Sequence, residues 1–219
     1  MSFRSVVVSA GGTREPWDEV RFLGNRSTGR QGCEVARAAL ETGADVTLVA
    51  ANVEAALIPH GVKVVEAPTA EDMLHQMNAV AAGADLVVMC AAVADFRPIR
   101  VSGKITRHDA TIPTLELERT PDVLMNLIEH RREDQTIVGF GALTGSEAQV
   151  REQGRRKALA KGVDLLCVNR VGDGHGFATE TNTLIFFDSR GNERGQASGT
   201  KLEVAEVMLR LAGEISQSH

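Results

Sequence analysis

Short apolar runs alternate with helical patterns along the chain, and this alternation limits the fold more than any other feature. The runs are rich in valine, leucine and isoleucine and lie at residues 6–8, 45–50, 62–65, 85–90, 136–142 and 163–168. Nearly continuous apolar strands are typical of a parallel sheet that is covered on both faces. The sequence therefore predicts an α/β fold with a Rossmann-like, doubly wound and mostly parallel sheet.

Capping residues predict where the connecting helices begin. Ser, Thr and Asp are preferred there because their side chains accept hydrogen bonds from otherwise unpaired N–H groups. Helices are predicted to begin near residues 28, 69, 120, 146 and 200, and a β-hairpin is predicted at about 182–197. The length and the 43% hydrophobic content fit a single domain over residues 1–219, with a domain plus a small appendage as the alternative.

One segment, at about residues 100–118, does not fit the alternation. It begins with the polar, glycine-bearing stretch Val101–Lys104 and continues to Ile112, Leu115 and Leu117, whose spacing indicates a partly exposed strand. We expect this β-arm to lie outside the main sheet. An exposed apolar strand edge invites pairing with a second copy, so the arm predicts a homodimer contact. A β-arm packed within one subunit and a disordered loop are the alternatives.

The loop after the first strand has the features of an anion site. It contains Gly11–Thr13, and Ser27 or Thr28 is the predicted N-cap of the following helix, with Gly29 just inside it. Unpaired N–H groups and the helix dipole make such an N-terminus favourable for phosphate. The loop is neither a dinucleotide fingerprint nor a Walker A loop, because it lacks an immediate third glycine and a Gly-Lys-Ser/Thr ending. An ordinary strand-to-helix connection is the alternative.

Composition excludes several other functions. The net charge of −5 gives no support to nucleic-acid binding, and no apolar run is long enough to span a membrane. No signal peptide is visible, so we expect a cytoplasmic protein. The cysteines are far apart in apolar surroundings and are expected to be reduced and buried, and the histidines show no metal-binding spacing.

Further candidates lie at the carboxyl ends of the predicted strands. They are Ala91–Asp95, Gly139–Phe140 and Asn169. Ligands of doubly wound sheets bind in the crevice at these ends. Lys157 and Lys161 share one helix face, which matters only if that face overlooks the same edge. The residues alone predict a nucleotide or phosphate site and leave the reaction open.

Several motifs together are more specific than any one of them. In chain order they are Gly11-Gly12-Thr13-Arg14-Glu15-Pro16, Val20-Arg21-Phe22, Asn25-Arg26-Ser27-Thr28-Gly29, Ala91-Ala92-Val93-Ala94-Asp95-Phe96-Arg97, Gly103-Lys104-Ile105 and Val138-Gly139-Phe140. In this order they resemble phosphopantothenoylcysteine synthetase, and the resemblance covers nearly the whole chain. It implies a ligase that joins 4′-phosphopantothenate to L-cysteine through an acyl-cytidylate, with CTP as co-substrate and Mg²⁺ as cofactor. It also implies a dimer and, in many members, fusion to a flavin-dependent decarboxylase.

The resemblance also implies roles for individual residues. The implied catalytic residues are Asn25, Arg21 and Lys104, and the implied substrate-binding residues are Arg21, Asn25, Ala91 and Ala92. The implied nucleotide site contains Gly11, Gly12, Thr13, Ser27, Gly29, Ala91, Ala92, Asp95, Lys104, Gly139, Phe140, Lys157 and Lys161, with Asp95 as the metal ligand. One departure follows Phe140. The family often has Ala-Glu-Thr there, whereas this chain has Gly141-Ala142-Leu143-Thr144, and Leu143 cannot supply a carboxylate.

Two other classes remain open at this level. A nicotinamide-dependent oxidoreductase of similar fold is disfavoured by the loop pattern and by the absence of tyrosine. A non-catalytic nucleotide-binding module would keep the glycines but would not need Asn25 or Lys104.

Overall fold

The computed structural model describes residues 3–106, 114–172 and 180–217. The strands are β1 (Ser5–Gly11), β2 (Arg14–Pro16), β3 (Phe22–Gly24), β4 (Asp45–Ala51), β5 (Lys63–Glu66), β6 (Leu86–Met89), β7 (Phe96–Pro98), β8 (Leu117–Arg119), β9 (Thr136–Leu143), β10 (Leu165–Arg170), β11 (Thr181–Asp188) and β12 (Glu193–Thr200). The helices are α1 (Arg30–Glu41), α2 (Ala70–Ala81), α3 (Val123–Glu129), α4 (Glu147–Lys161) and α5 (Lys201–Ser216), with one 3-10 turn at Ala55–Leu57.

The main sheet confirms the predicted α/β architecture. Within the described residues it has eight strands in the order β12-β11-β10-β9-β6-β1-β4-β5. The strands from β10 to β5 pair in parallel, whereas β11 and β12 add an antiparallel edge. The chain winds outward from β1 in one direction and then from β6 in the other. A crevice therefore opens between the carboxyl ends of β1 and β6.

Both faces of the sheet are covered by helices, which is why its central strands are largely apolar. On one face α1 and α5 bury residues such as Val35 and Met208 against β1 and β10. On the other face α2, α3 and α4 bury Met73, Leu127 and Val150. Alternate side chains of each central strand point into these two cores. A continuous apolar run therefore supplies apolar side chains to both cores.

The predicted cap of the first helix is wrong. The N-cap of α1 is Gly29, with φ 83° and no side-chain cap, and not Ser27 or Thr28. A Cβ atom on Gly29 would lie 2.7 Å from Val53 Cγ2, so this left-handed turn requires glycine. Ser27 Oγ instead accepts a hydrogen bond from the Gly29 N–H at 3.4 Å, just before the helix. The other four predicted helix starts are confirmed to within a few residues.

The β-arm lies outside the main sheet, as predicted, but it begins earlier than residue 100. Strand β8 pairs with β7 in a separate antiparallel ladder, with Pro98 opposite Leu117. A second small ladder, β2 with β3, forms within the loop after β1 and was not predicted. The hairpin is confirmed, but β11 continues the main sheet instead of leaving it. Ile112 lies outside the described residues.

The cysteines are unbridged, as predicted, and two of the three are fully buried. All three are free, Cys33 and Cys167 are buried, and Cys90 is half-buried. Burial raises the pKa of the Cys33 thiol to about 11 and that of Cys90 to about 12. These thiols are therefore protonated at neutral pH.

The contact between α1 and β1 generates a test of the fold. A Cβ atom on Gly32 would lie 2.6 Å from Ala10 Cβ and 2.9 Å from the Ser9 carbonyl oxygen. We expect Gly32→Ala to lower the free energy of unfolding by about 1 to 3 kcal/mol, because the helix must move away from the strand. Chemical denaturation measures the change.

Gly83→Ala is the matched control, because a Cβ atom there meets nothing within 4 Å. We expect its free energy of unfolding to stay within about 1 kcal/mol of the wild type. Equal destabilisation of the two variants would contradict the close-packing argument.

Candidate functional site

The ends of β1 and β6 are tied together by backbone hydrogen bonds. The Ala92 N–H donates to the Gly11 carbonyl at 2.8 Å, and the Thr13 N–H donates to the Ala92 carbonyl at 3.2 Å. The Gly12 N–H donates to the Ala51 carbonyl at 3.0 Å. Because these N–H groups are bonded within the protein, the buried residues Gly12 and Thr13 offer no backbone donor to a ligand in this conformation.

Asn25 lies beside these strand ends. Its Nδ2 donates to the carbonyl oxygen of Ala92 at 3.0 Å, and its side chain is exposed. The Asn25 backbone also approaches Gly12 closely, since a Cβ atom on Gly12 would lie 3.0 Å from the Asn25 carbonyl oxygen. The structure thus brings together Asn25, Gly12 and Ala92, which are far apart in the sequence and were predicted to share a site.

One pocket, here called the α1 pocket, opens at the N-terminus of α1. The N–H groups in the first turn of a helix have no acceptor within the helix, and the positive end of its dipole points outward. Predicted residues Ser27, Gly29, Ala91, Ala92 and Phe140 line it. The other lining residues are Thr28, Arg30, Gln31, Cys90, Ala142, Asn169, Asn182 and Lys201.

A second pocket, here called the α4 pocket, lies on the other side of the same crevice. Predicted residues Ala91, Asp95, Phe140, Lys157 and Lys161 line it, together with Met89, Val93, Ala94 and the segment Arg119–Leu124. Ala91 and Phe140 line both pockets, so the two pockets share a wall. The lysine pair therefore overlooks the carboxyl edge of the sheet. This position was the condition for a role of the pair in ligand binding.

Charge in the α4 pocket is partly balanced by the protein itself. Lys161 Nζ lies 2.5 Å from Asp122 Oδ2. Burial opposes ionisation of Asp122, but hydrogen bonds from Lys161 and from the Met125 N–H outweigh it, and the pKa of Asp122 is lowered. Lys157 packs over Gly141, where a Cβ atom would lie 3.6 Å from its Nζ. The pocket thus offers ammonium groups to an anion.

Gly139 does not line either pocket. It is buried in β9, and a Cβ atom there would contact Leu124 and Val163 within 3.3 Å. Its small size lets α3 and α4 pack closely on β9. Gly11 is likewise a packing residue, since a Cβ atom on it would lie 1.9 Å from the Ala51 carbonyl oxygen.

Asp18 connects two predicted catalytic residues, and sequence reasoning missed it. Its buried carboxylate accepts hydrogen bonds from the N–H groups of Val20 at 2.7 Å, Arg21 at 2.6 Å and Ile105 at 3.2 Å, and it forms an ion pair with the Arg21 guanidinium. Arg21 Nη1 also donates to the Ile105 carbonyl at 3.1 Å. Asp18 thereby holds Arg21 beside the segment that carries the exposed Lys104.

Asp18 is strongly acidic for this reason. Burial opposes its ionisation, but the three backbone hydrogen bonds and the Arg21 guanidinium outweigh burial and lower its pKa from 3.8 to about 2. A lowered folded-state pKa means that the ionised contact stabilises the segment fully above about pH 4 and is lost only as the pH falls toward 2. Asp18 therefore anchors the Lys104 segment equally well at every pH near neutrality.

Among the described residues, no group of three or more His, Cys, Asp or Glu side chains is arranged to hold a metal ion. Asp95 is exposed at the α4 pocket and is the single predicted metal ligand. None of the helices in the described ranges has the length and hydropathy needed to cross a membrane.

Asp18→Asn tests the anchoring of the Lys104 segment. An amide keeps one acceptor oxygen and places its NH₂ group against N–H donors, so we expect the contacts to Ile105 to break. Trypsin cleavage after Lys104, followed by mass spectrometry, should then be faster by about 10-fold, because local opening costs less free energy. Catalysis is not needed for this measurement.

The matched control is Glu19→Gln. Glu19 joins the same two segments through an exposed ion pair with Arg100 at 3.2 Å. Exposed pairs contribute little, so the cleavage rate should stay within about 2-fold of the wild type. A larger effect for Glu19→Gln than for Asp18→Asn would show that the buried carboxylate is not the anchor.

Known proteins share this architecture and sequence. Residues 1–215 match the model of the family described as DNA/pantothenate metabolism flavoprotein C-terminal domain. The coenzyme A biosynthesis bifunctional protein CoaBC of Mycobacterium tuberculosis is 44% identical over 213 residues, which cover 94% of this chain and 51% of that protein. The protein of the same name from Bacillus subtilis is 36% identical over 216 residues, covering 98% of this chain and 52% of that protein.

A solved structure agrees with these relatives. The crystal structure of the C-terminal domain of coenzyme A biosynthesis bifunctional protein CoaBC superposes with a TM-score of 0.78 at 30% identity, and the match covers 99% of this chain and 97% of that one. The chain spans about half the length of the curated relatives it matches. From its match over nearly its whole length, the chain belongs to the DNA/pantothenate metabolism flavoprotein C-terminal domain family.

Proposed function

We propose that the chain is a phosphopantothenate–cysteine ligase of coenzyme A biosynthesis. It joins 4′-phosphopantothenate to L-cysteine, consumes CTP, and releases CMP and pyrophosphate. Family membership supports the reaction class. The observation that carries the proposal is the position of Asn25, whose amide lies on Ala92 beside the wall that the α1 and α4 pockets share.

The reaction has two steps, because a carboxylate is a poor acyl donor. First, a carboxylate oxygen of 4′-phosphopantothenate attacks the α-phosphorus of CTP. The bond to pyrophosphate breaks and an acyl-cytidylate forms. Next, the amine of L-cysteine attacks the acyl carbon, the bond to CMP breaks, and the amine loses a proton. Negative charge develops on the acyl oxygen in the second step.

Asn25 is suited to stabilise that oxygen. Its amide nitrogen carries two N–H groups, so one can stay on the Ala92 carbonyl while the other donates into the crevice. Loss of a comparable donor in other enzymes costs about 3 to 4 kcal/mol of transition-state stabilisation. The small side chains of Ala91 and Ala92 leave room for the acyl-cytidylate beside this donor.

The nucleotide occupies the α4 pocket in this proposal. Lys157 and Lys161 bind its phosphates, and Phe140 lies beside the base. Ser27 and Gly29 receive a phosphate at the N-terminus of α1. Gly11, Gly12, Thr13 and Gly139 contribute by holding the strand ends and helices in place. The preference for CTP over ATP is part of the proposal and rests on the resemblance.

Mg²⁺ fits the residues present. Mg²⁺ binds oxygen ligands and needs only one or two protein carboxylates when phosphates supply further oxygens. Asp95 is an exposed carboxylate at the α4 pocket and would hold the ion there. The ion would supply positive charge to the triphosphate as pyrophosphate leaves.

Arg21 and Lys104 complete the site in this proposal. Their segments are joined by Asp18, and both side chains are exposed. Lys104 closes over the phosphates, and Arg21 contacts the acyl substrate. The relatives are named as bifunctional proteins, and we extend the proposal to a full-length protein that also carries a flavin-dependent decarboxylase.

The exposed apolar side chains of the small ladders support a homodimer. Phe22 in β3 is 54% exposed and Leu117 in β8 is 47% exposed, and the two ladders pack together. Val20, Phe96, Ile99, Val101 and Leu115, in or next to the ladder strands in the sequence, are exposed as well. Exposed apolar patches are typical of protein–protein contacts. A second copy of the chain would cover these side chains near the Lys104 segment.

The reaction is tested with CTP and 4′-phosphopantothenate, with and without L-cysteine. We expect pyrophosphate release with the first two substrates and formation of the amide only when cysteine is added. In Asn25→Asp, a carboxylate replaces a donor and repels the developing oxyanion, so turnover should fall by at least about 100-fold while CTP binding is retained.

Melting temperature is the control for Asn25→Asp, and it should be unchanged because the side chain is exposed. Unchanged turnover in Asn25→Asp would contradict the proposed catalytic role of Asn25. Nucleotide binding without pyrophosphate release would favour a non-catalytic module, and hydride transfer to a nicotinamide cofactor would favour an oxidoreductase.

Light scattering tests the dimer. We expect a dimeric wild type and a monomeric Leu115→Asp/Leu117→Asp variant, because two carboxylates would be buried in the contact. Leu159→Asp is the control, since Leu159 is 49% exposed but lies on α4. A monomeric wild type, or a double variant that remains dimeric, contradicts the proposed contact.

A further inference from the structure

A buried lysine lines the α1 pocket and has been given no role in the proposed reaction. Lys201 is the first residue of α5, is 6% exposed and lines the pocket. Its Nζ makes one long hydrogen bond, to the Thr181 carbonyl at 3.4 Å. Over residues 3–106, 114–172 and 180–217, no carboxylate pairs with it. A buried ammonium without a counter-ion is costly, so its retention points to an anion.

A second cation faces the same space. Arg30, in the first turn of α1, lines the pocket, and its ion pair with the exposed Glu180 is loose at 3.6 Å. Burial and then the Arg30 charge lower the pKa of Lys201. Both effects disfavour the charged ammonium, and both are relieved by an anion that contacts Lys201 and Arg30 together.

Hydrogen bonds join the elements that surround this pocket. Gln31 Nε2 donates to the Lys201 carbonyl at 3.0 Å, and Asn182 Nδ2 donates to Gln31 Oε1 at 2.9 Å. These bonds tie together the start of α1, the start of α5 and β11. The first turn of α1, whose N–H groups have no acceptor within the helix, is therefore held next to the start of α5, which carries Lys201.

We propose that Lys201 is a specificity-determining residue that binds a phosphate dianion in the α1 pocket together with Arg30 and the N-terminus of α1. This inference rests on the proposed function and deepens it. The same chemistry fits the phosphate of 4′-phosphopantothenate and a phosphate of CTP. A dianion matches the two cations and the helix end, whereas a neutral hydroxyl would leave the buried ammonium uncompensated.

Lys201→Met tests the inference, since it keeps an unbranched side chain only one heavy atom shorter and removes its charge. We expect KM to rise by about 10- to 100-fold for the substrate whose phosphate is bound, with kcat within about 3-fold of the wild type. A rise for 4′-phosphopantothenate assigns the subsite to the acyl substrate, and a rise for CTP assigns it to the nucleotide. Lys201→Arg keeps the charge and should restore part of the affinity.

Structural and binding roles are separated by melting curves. Inorganic phosphate, compared with chloride at equal ionic strength, should raise the melting temperature of the wild type and not that of Lys201→Met. Without phosphate, Lys201→Met should be at least as stable as the wild type, because a costly buried charge is gone. Lys63→Met, at an exposed site in β5, is the control and should keep the phosphate response.

The two proposals fail in different ways. A phosphate response that depends on Lys201, in a protein that shows no ligation, overturns the ligase function and supports the anion site. Ligation with both KM values unchanged in Lys201→Met overturns the anion site and leaves the function standing. A large drop in melting temperature with unchanged KM values assigns Lys201 to structure and also overturns the inference.

Discussion

The backbone contact between the ends of β1 and β6 is the constraint on which the rest of the site depends. Ala92 both donates to Gly11 and accepts from Thr13, so two chain segments with opposite winding directions are fixed at one point. Asn25 is then placed by the same carbonyl. Gly11 packs against β4, and Gly29 packs against Gly11 and Val53. The position of the β1 end therefore determines the position of the start of α1. A change in any of these backbones would displace Asn25 and the α1 pocket together.

Much of the fold follows from the sequence because local and global preferences agree. The central strands are largely apolar and covered on both faces, the caps at Thr69 and Thr200 form as expected, and a helix begins near Ser146 as predicted. The first helix is the exception. Ser27 is a good capping residue in isolation, but Gly29 takes the cap because only glycine fits beside Val53. Local propensity could not reveal this contact with a distant side chain.

The candidate site was predictable where short motifs carry it and hidden where only the tertiary structure assembles it. Asn25 and the lysine pair were found by motif or spacing. Asp18 was not, because its hydrogen bond to Ile105 spans 87 positions in the sequence. Lys201 resembles an ordinary polar residue at the start of an amphipathic helix. Its burial arises only when α1, α5 and β11 converge, and nothing local to it signals that.

In the α4 pocket, Asp122 pairs with Lys161 and therefore competes with any incoming anion for this lysine. Asp122 is also placed to pair with Lys161 again when the anion leaves. Departure therefore leaves no bare ammonium behind, and the barrier to release is lowered relative to a pocket without a carboxylate. Such an arrangement favours exchange over tight retention. In the proposed function, this suits the side of the crevice that binds CTP and releases its products.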